Sequence, residues 1–236
     1  MKNNIVITSF AWKMAERVLL QGLAVVVQVI LARLLMPSDF AAVALINAVI
    51  HYLGLFVQSG LSTVVVQKKE LDNKDISTLM TYSLCTATLL YISIFFLAPL
   101  LSNYYNVGDL ILPIRVAALS LFLYSFNSIQ TGILSRQMRF RTIFFLSIVA
   151  MPIAAVIAIT MAFCGMGIWA LICNTLLNIL LTVIIMNTMP ELRIKLGFSF
   201  IRFKQLFSFS GKILLTTLIS GGGDTLRTLV IGKFYS

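Results

Sequence analysis

The sequence predicts an all-α polytopic membrane protein, and three observations carry that prediction. Of its 236 residues, 59% are hydrophobic and only 11% charged, with a mean hydropathy of +0.98. One soluble core could not hide that much apolar surface. Apolar runs of the roughly 20 residues that a helix needs to cross a bilayer recur along the whole chain. Lysine and arginine gather in every second loop between those runs, as they do where loops set a membrane orientation. The net charge of +10 therefore follows the loops rather than one water-facing patch, which argues against nucleic acid as a partner.

Seven spans are predicted, at 12–35, 41–66, 77–101, 111–134, 142–163, 167–186 and 213–234. The first two form a hairpin about ILARLLMPSDFAAVAL at 30–45. The N-terminal segment lacks the short apolar core and small-residue cleavage pattern of a removable signal, so the first span is predicted to be an uncleaved anchor. The fifth and sixth spans share one charge-free run, and Gly165 and Gly167 supply its turn. Loops after the second, fourth and sixth spans hold Lys68, Lys69 and Lys74, then Arg136, Arg139 and Arg141, then Arg193, Lys195, Arg202, Lys204 and Lys212. Loops after the first, third and fifth hold neither Lys nor Arg. The positive-inside rule then predicts a cytoplasmic N-terminus. Cys85, Cys164 and Cys173 have no paired spacing and read as free apolar fillers.

The stretch FSFIRFKQLFSF after the sixth span mixes aromatics with Arg202 and Lys204. It reads either as a short interfacial helix on anionic lipid or as an ordinary basic inner loop. Beyond it the opening repeats. Phe10-Ala-Trp-Lys13 and Ile30-Leu-Ala-Arg33 flank the first span as Phe209-Ser-Gly-Lys212 and Val230-Ile-Gly-Lys233 flank the seventh. The expected organisation is a six-helix lobe at 1–188, an amphipathic linker at 189–211, and at 212–236 a seventh helix opening a second, parallel lobe.

No soluble catalytic signature, cofactor motif or metal-ligand spacing is present. The eight carboxylates show no close pair within a span, which makes an enzyme the weaker class, and Glu70, Asp72 and Asp75 alternate with lysines as in a solvated turn. Polar side chains instead recur at helical spacing. In the second span Asn47, His51, Gly54, Gln58 and Ser62 fall on one arc. Arg17, Gln21 and Gln28 do so in the first, Ser120, Tyr124, Asn127 and Thr131 in the fourth, and Asn174, Asn178 and Thr182 in the sixth. Such groups can hydrogen-bond between helices at ~0.6 kcal/mol each. Four polar faces meeting at one axis are hard to satisfy in a dry core, so a hydrated cavity is expected. For His51, packing and proton coupling are both open readings.

Four cations stand within or at the ends of spans: Arg33, Arg115, Arg227 and Lys233. A cation at mid-membrane costs roughly 2.5 to 3.5 kcal/mol, and snorkelling to the interface is one way to avoid that. Facing a cavity is the other, where a guanidinium fork suits phosphate oxygens. Arg33 and Arg115 do not lie on the polar arcs of their own helices. Asp224 and Arg227 stand at i, i+3, and Gly221-Gly222-Gly223 before them loosens the seventh helix.

Several motifs together resemble a known family. They are Trp12 with Glu16-Arg17, ILARLLMPSDFAAVAL at 30–45, GLSTVVVQKKELDNKDIST at 60–78, LPIRVAALS at 112–120, SRQMRFR at 135–141, GMGIWAL at 165–171, FKQLFSFSGKILL at 203–215 and the terminal IGKFYS. The chain resembles the Wzx-type polysaccharide exporters, the lipid-linked oligosaccharide flippases of the multidrug/oligosaccharidyl-lipid/polysaccharide (MOP) exporter superfamily, most of all the colanic and teichuronic acid branch. The resemblance implies two six-helix lobes around a central cavity in a bacterial inner membrane. It implies alternating access for an undecaprenyl-diphosphate-linked glycan, with lipids and glycan-assembly proteins as neighbours and no cofactor. Members run to about twice this length, so the chain is expected to supply one lobe and the first helix of the next. A non-transporting scaffold of a glycan-assembly complex and a membrane glycan polymerase or transferase are the alternatives; the latter needs essential carboxylates, Asp39 and Asp109 being the candidates.

Overall fold

The computed structural model describes residues 2–58, 61–68, 71–105, 110–204 and 216. Among these residues the fold is helical throughout: α1 (Lys2–Leu34), α2 (Pro37–Gln58), α3 (Leu61–Gln67), α4 (Asn73–Tyr105), α5 (Ile111–Ala117), α6 (Ser120–Arg136), α7 (Phe140–Phe163) and α8 (Ile168–Thr188), then a short 3-10 turn at Pro190–Leu192. Six stretches are long and apolar enough to cross a membrane, which makes the chain an all-α, multi-pass membrane protein. The seventh predicted span lies outside the described residues except for position 216, and with it Asp224, Arg227, Lys233 and the repeated opening. Of the linker, residues 200–204 are helical and 205–211 lie outside the described residues.

The second span runs over Pro37–Gln67, and one span expected as a single helix is built from two pieces. The fourth steps between α5 and α6, where i→i+3 bonds replace the α-helical pattern: Leu119 N to Val116 O (3.1 Å), Leu121 N to Ala118 O (3.0 Å) and Phe122 N to Leu119 O (3.2 Å). Such a tightened turn is tolerated at membrane depth where it lines a cavity, as this one does. The 33 residues of α4 span about 50 Å, more than the ~30 Å hydrocarbon layer, so this helix extends past the membrane.

Helix α6 is the central post, packed against α2, α3, α4, α7 and α8, while α7 pairs with both α8 and α1. The α7–α8 turn needs backbone that L side chains rarely adopt, with Gly165 at φ +75° and Gly167 at φ +51°. Gly132 permits the closest helix approach: a Cβ there would stand 3.1 Å from the Ser62 Cα and 3.2 Å from Val65. One core cluster runs from Val27 and Leu31 through Val43, Ile46 and Ile50 to Leu121, Ala155 and Leu171. A second gathers Val64, Leu79, Met80, Ile129, Leu134, Leu146, Met186 and Leu192 at the basic end, the end that carries the Lys- and Arg-bearing loops. Large apolar side chains such as Val18, Leu89, Phe96, Leu100, Val156 and Ile184 are exposed, as lipid-facing residues are.

The basic end corrects one expectation. Asp75 is not part of a solvated turn but is 1% exposed, and it draws three donors: Lys68 Nζ at 2.6 Å, its neighbour Asp72 N at 3.0 Å and Arg202 Nη1 at 3.0 Å. Arg202 also pairs with Asp72 at 3.0 Å. The Asp75 carboxylate beside it raises the Arg202 pKa further above its already high value, so the pair stays charged. The rest of the 187–204 stretch is fastened to the same end. Gln130 donates to Asn187 Oδ1 (2.7 Å) and Leu192 O (3.2 Å), Arg139 pairs with Glu191, and Thr81 donates to Gly197 O at 3.1 Å. Arg136 donates to the carbonyls of Val65 (2.9 Å) and Lys68, closing the end of α3.

Candidate functional site

Polar side chains from three helices line one cavity. An open cavity of about 330 Å³ is lined by Gln28 of α1, Asn47 of α2, and Asn174, Thr175 and Asn178 of α8, with apolar walls from Val27, Leu31, Val43, Ala155 and Leu171. A second cavity of about 160 Å³ adjoins it and is lined by Asn47, His51, Ser120, Tyr124 and Thr175. Asn47 and Thr175 line both, so the two form one polar trough running from α1 across α2 and α8 to the α5–α6 step.

Among the described residues, no Asp, Glu, Lys or Arg lines the trough. Among the described residues, no hydrogen bond holds the side chains of Gln28, Asn47, Asn174 or Asn178. An amide presents two donors and a two-lone-pair acceptor, and packing a bare amide against hydrocarbon costs several kcal/mol. Four such groups on one wall are therefore served by water or by a polar ligand. Hydroxyl groups, which both donate and accept, are the natural complement.

The remaining expected residues fall elsewhere. Arg17 and Gln21 are exposed on α1 along the face that carries Gln28. Gln58 is half-buried and outside both cavities. Asn127 accepts from Thr131 at 3.4 Å. Arg33 is exposed in the last turn of α1. Arg115 stands against α4, where Nε and Nη2 donate to Phe95 O at 3.3 and 3.2 Å and the guanidinium lies 3.8 Å from the Phe95 ring centre. The cause is Pro99, which sits inside α4 and has no N–H to give the carbonyl four residues earlier. Arg115 supplies that missing donor. Of the carboxylates weighed for an enzyme, Asp39 accepts from Met36 N at 3.2 Å at the start of α2, a helix-entry contact; Asp109 lies outside the described residues.

Thr175 is a trough residue that the periodicity argument passes over, although it follows Asn174 and stands at i−3 from Asn178. The same arc extended by one position finds it. No group of three or more His, Cys, Asp or Glu able to hold a metal occurs among the described residues.

A curated relative is the succinoglycan biosynthesis transport protein ExoT of Rhizobium meliloti (strain 1021), 26% identical over 169 residues, covering 72% of this chain and 34% of that protein. The chain thus matches about a third of its relative's length. No solved structure matches. The family described as polysaccharide biosynthesis protein matches residues 30–236, from the end of the first helix onward. On that match the chain belongs to the polysaccharide biosynthesis protein family.

Proposed function

We propose that this chain forms a wall of a transporter that flips undecaprenyl-diphosphate-linked oligosaccharide across a bacterial inner membrane by alternating access, with its N-terminus in the cytoplasm. The observation that carries the proposal is the uncharged trough. Its amides from α1, α2 and α8 offer sugar hydroxyls paired donors and acceptors at membrane depth, while its apolar walls leave no fixed charge to trap the cargo. The relative's role in succinoglycan biosynthesis transport supports a glycan as cargo. The basic loops on one side support the orientation.

In this reading the six-helix lobe contributes the sugar-facing wall. Arg33, at the end of α1, attracts the diphosphate together with Arg227 and Lys233 from the seventh span. Replacing Asn47 and Asn174 together by Leu, in cells whose glycan export depends on this protein, is expected to abolish export at unchanged protein level. Normal export by that variant would overturn the trough's role. A scaffold without transport predicts a different outcome for thiol labelling. In a variant lacking Cys85, Cys164 and Cys173, a cysteine at position 47 should react with a membrane-impermeant reagent from one side, and complete protection from both sides would favour the scaffold.

A further inference from the structure

A cavity at the basic end of the bundle, unconnected with the trough, has its own chemistry. It encloses about 460 Å³ between the first turn of α4, the end of α6 and the turn that follows α8. Three cations line it: Lys74, Arg193 and Lys195. Its single carboxylate, Glu191, is already paired with Arg139. Among the described residues no carboxylate pairs with Lys74, Arg193 or Lys195. Arg193 uses Nε on Asn187 O at 3.2 Å, which fixes the guanidinium while leaving its terminal nitrogens for a ligand. Ile76, Ile133 and Ile194 give the lining an apolar part.

We propose that this cavity is a binding site for a lipid phosphate headgroup. Three cations lining one cavity, none paired with a carboxylate among the described residues, call for an anion, and guanidinium and ammonium donors match phosphate oxygens. The apolar part selects an amphiphile over a free ion, because a free phosphate would leave Ile133 and Ile194 uncovered. The position agrees, since the cavity lies where α8 ends and α4 begins, the level at which headgroups sit. The turn beside it is fastened to α6, where Gln130 donates to Leu192 O at 3.2 Å. Two lipids carry this chemistry, an anionic phospholipid of the surrounding leaflet and the diphosphate of a polyprenyl carrier. The site needs neither the trough nor transport to exist.

Native mass spectrometry of the purified protein tests this, with phosphatidylglycerol, undecaprenyl diphosphate and phosphatidylcholine offered separately in neutral detergent. The wild type is expected to retain at least one of the two anionic lipids and not phosphatidylcholine; which one is retained identifies the source. The double variant Lys74→Gln, Lys195→Gln removes two exposed, unpaired ammonium groups, so its fold should be unaffected. It is expected to bind roughly twenty-fold more weakly, about five-fold per cation. Lys204→Gln, exposed on the same end but outside the cavity, is expected to bind as the wild type does. Equal retention of phosphatidylcholine, unchanged binding by the double variant, or an equal loss in Lys204→Gln would each overturn the proposal. Loss of binding together with a fallen thermal midpoint is resolved by Lys74→Arg, Lys195→Arg, which keeps both charges and is expected to bind within about three-fold of the wild type; failure of that variant to bind would also overturn it.

Discussion

Polar side chains are treated in opposite ways at two levels of this bundle. In the trough, Gln28, Asn47, Asn174 and Asn178 face open space, with no side-chain hydrogen bond to a described residue. At the basic end, Asp75 collects three donors at 2.6 to 3.0 Å, Gln130 gives both hydrogens of its amide while its buried oxygen finds no partner among the described residues, and Arg136 caps α3. Both sets are polar groups inside a largely apolar protein, and helical periodicity alone does not tell them apart. Whether any partner in the fold is bonded to them separates them. A polar group kept for stability has its partners built in, whereas one kept for a ligand must leave valences open.

The sharpest way to test that contrast is at Asp75. Asp75→Asn keeps the shape but removes the charge that holds Lys68 and Arg202, leaving two cations facing each other. Breaking a buried pair costs about 3 to 5 kcal/mol; because Lys68 and Arg202 each keep a third of their surface in solvent, the expected loss is about 2 kcal/mol. It should appear as a lower thermal midpoint and as earlier proteolysis of the 193–204 stretch. A midpoint within about one degree of the wild type, less than a 1 kcal/mol loss would produce, would show that the carboxylate does not hold the linker.

A smaller effect is expected at Arg115, which its sequence position groups with the substrate cations. Arg115→Met should destabilise by about 1 kcal/mol, the worth of one hydrogen bond inside a membrane protein. In a Pro99→Ala background the loss should largely vanish, because the alanine N–H would give Phe95 O its ordinary helical donor. Additive losses in the double variant would return Arg115 to the substrate.

These two residues also show what can be read in advance. The six described spans, the α7–α8 turn at Gly165 and Gly167 and the helix faces bearing Asn47 and Asn174 are legible, since each depends on local periodicity or on backbone that only glycine adopts freely. Asp75 escapes such a reading because its decisive partner, Arg202, is 127 residues away; the neighbouring lysines make a solvated turn the natural expectation. Pro99 announces an unpaired carbonyl at Phe95, but only the packing of α5 on α4 shows that Arg115 fills it. The step at 118–119 leaves no trace, as AALS contains neither Gly nor Pro. Periodicity places Gln58 and Asn127 on the right faces without telling how far the neighbouring helices stand off, and there the bundle closes.

The smallest stability effect should come from the trough itself. If Asn47 and Asn174 were structural, replacing either by Leu would strand a partner and cost about 1 to 3 kcal/mol. With no protein partner to strand among the described residues, Asn47→Leu and Asn174→Leu should each leave the thermal midpoint unchanged or raise it slightly, because a hydrated amide gives way to apolar surface that packs against Val27 and Ala155. The same substitutions should be the most damaging to export. Stability and transport would then respond in opposite order along the bundle, Asp75 dominating the first and Asn47 the second. A destabilised Asn47→Leu that still exports would reverse that order and mark the trough as packing.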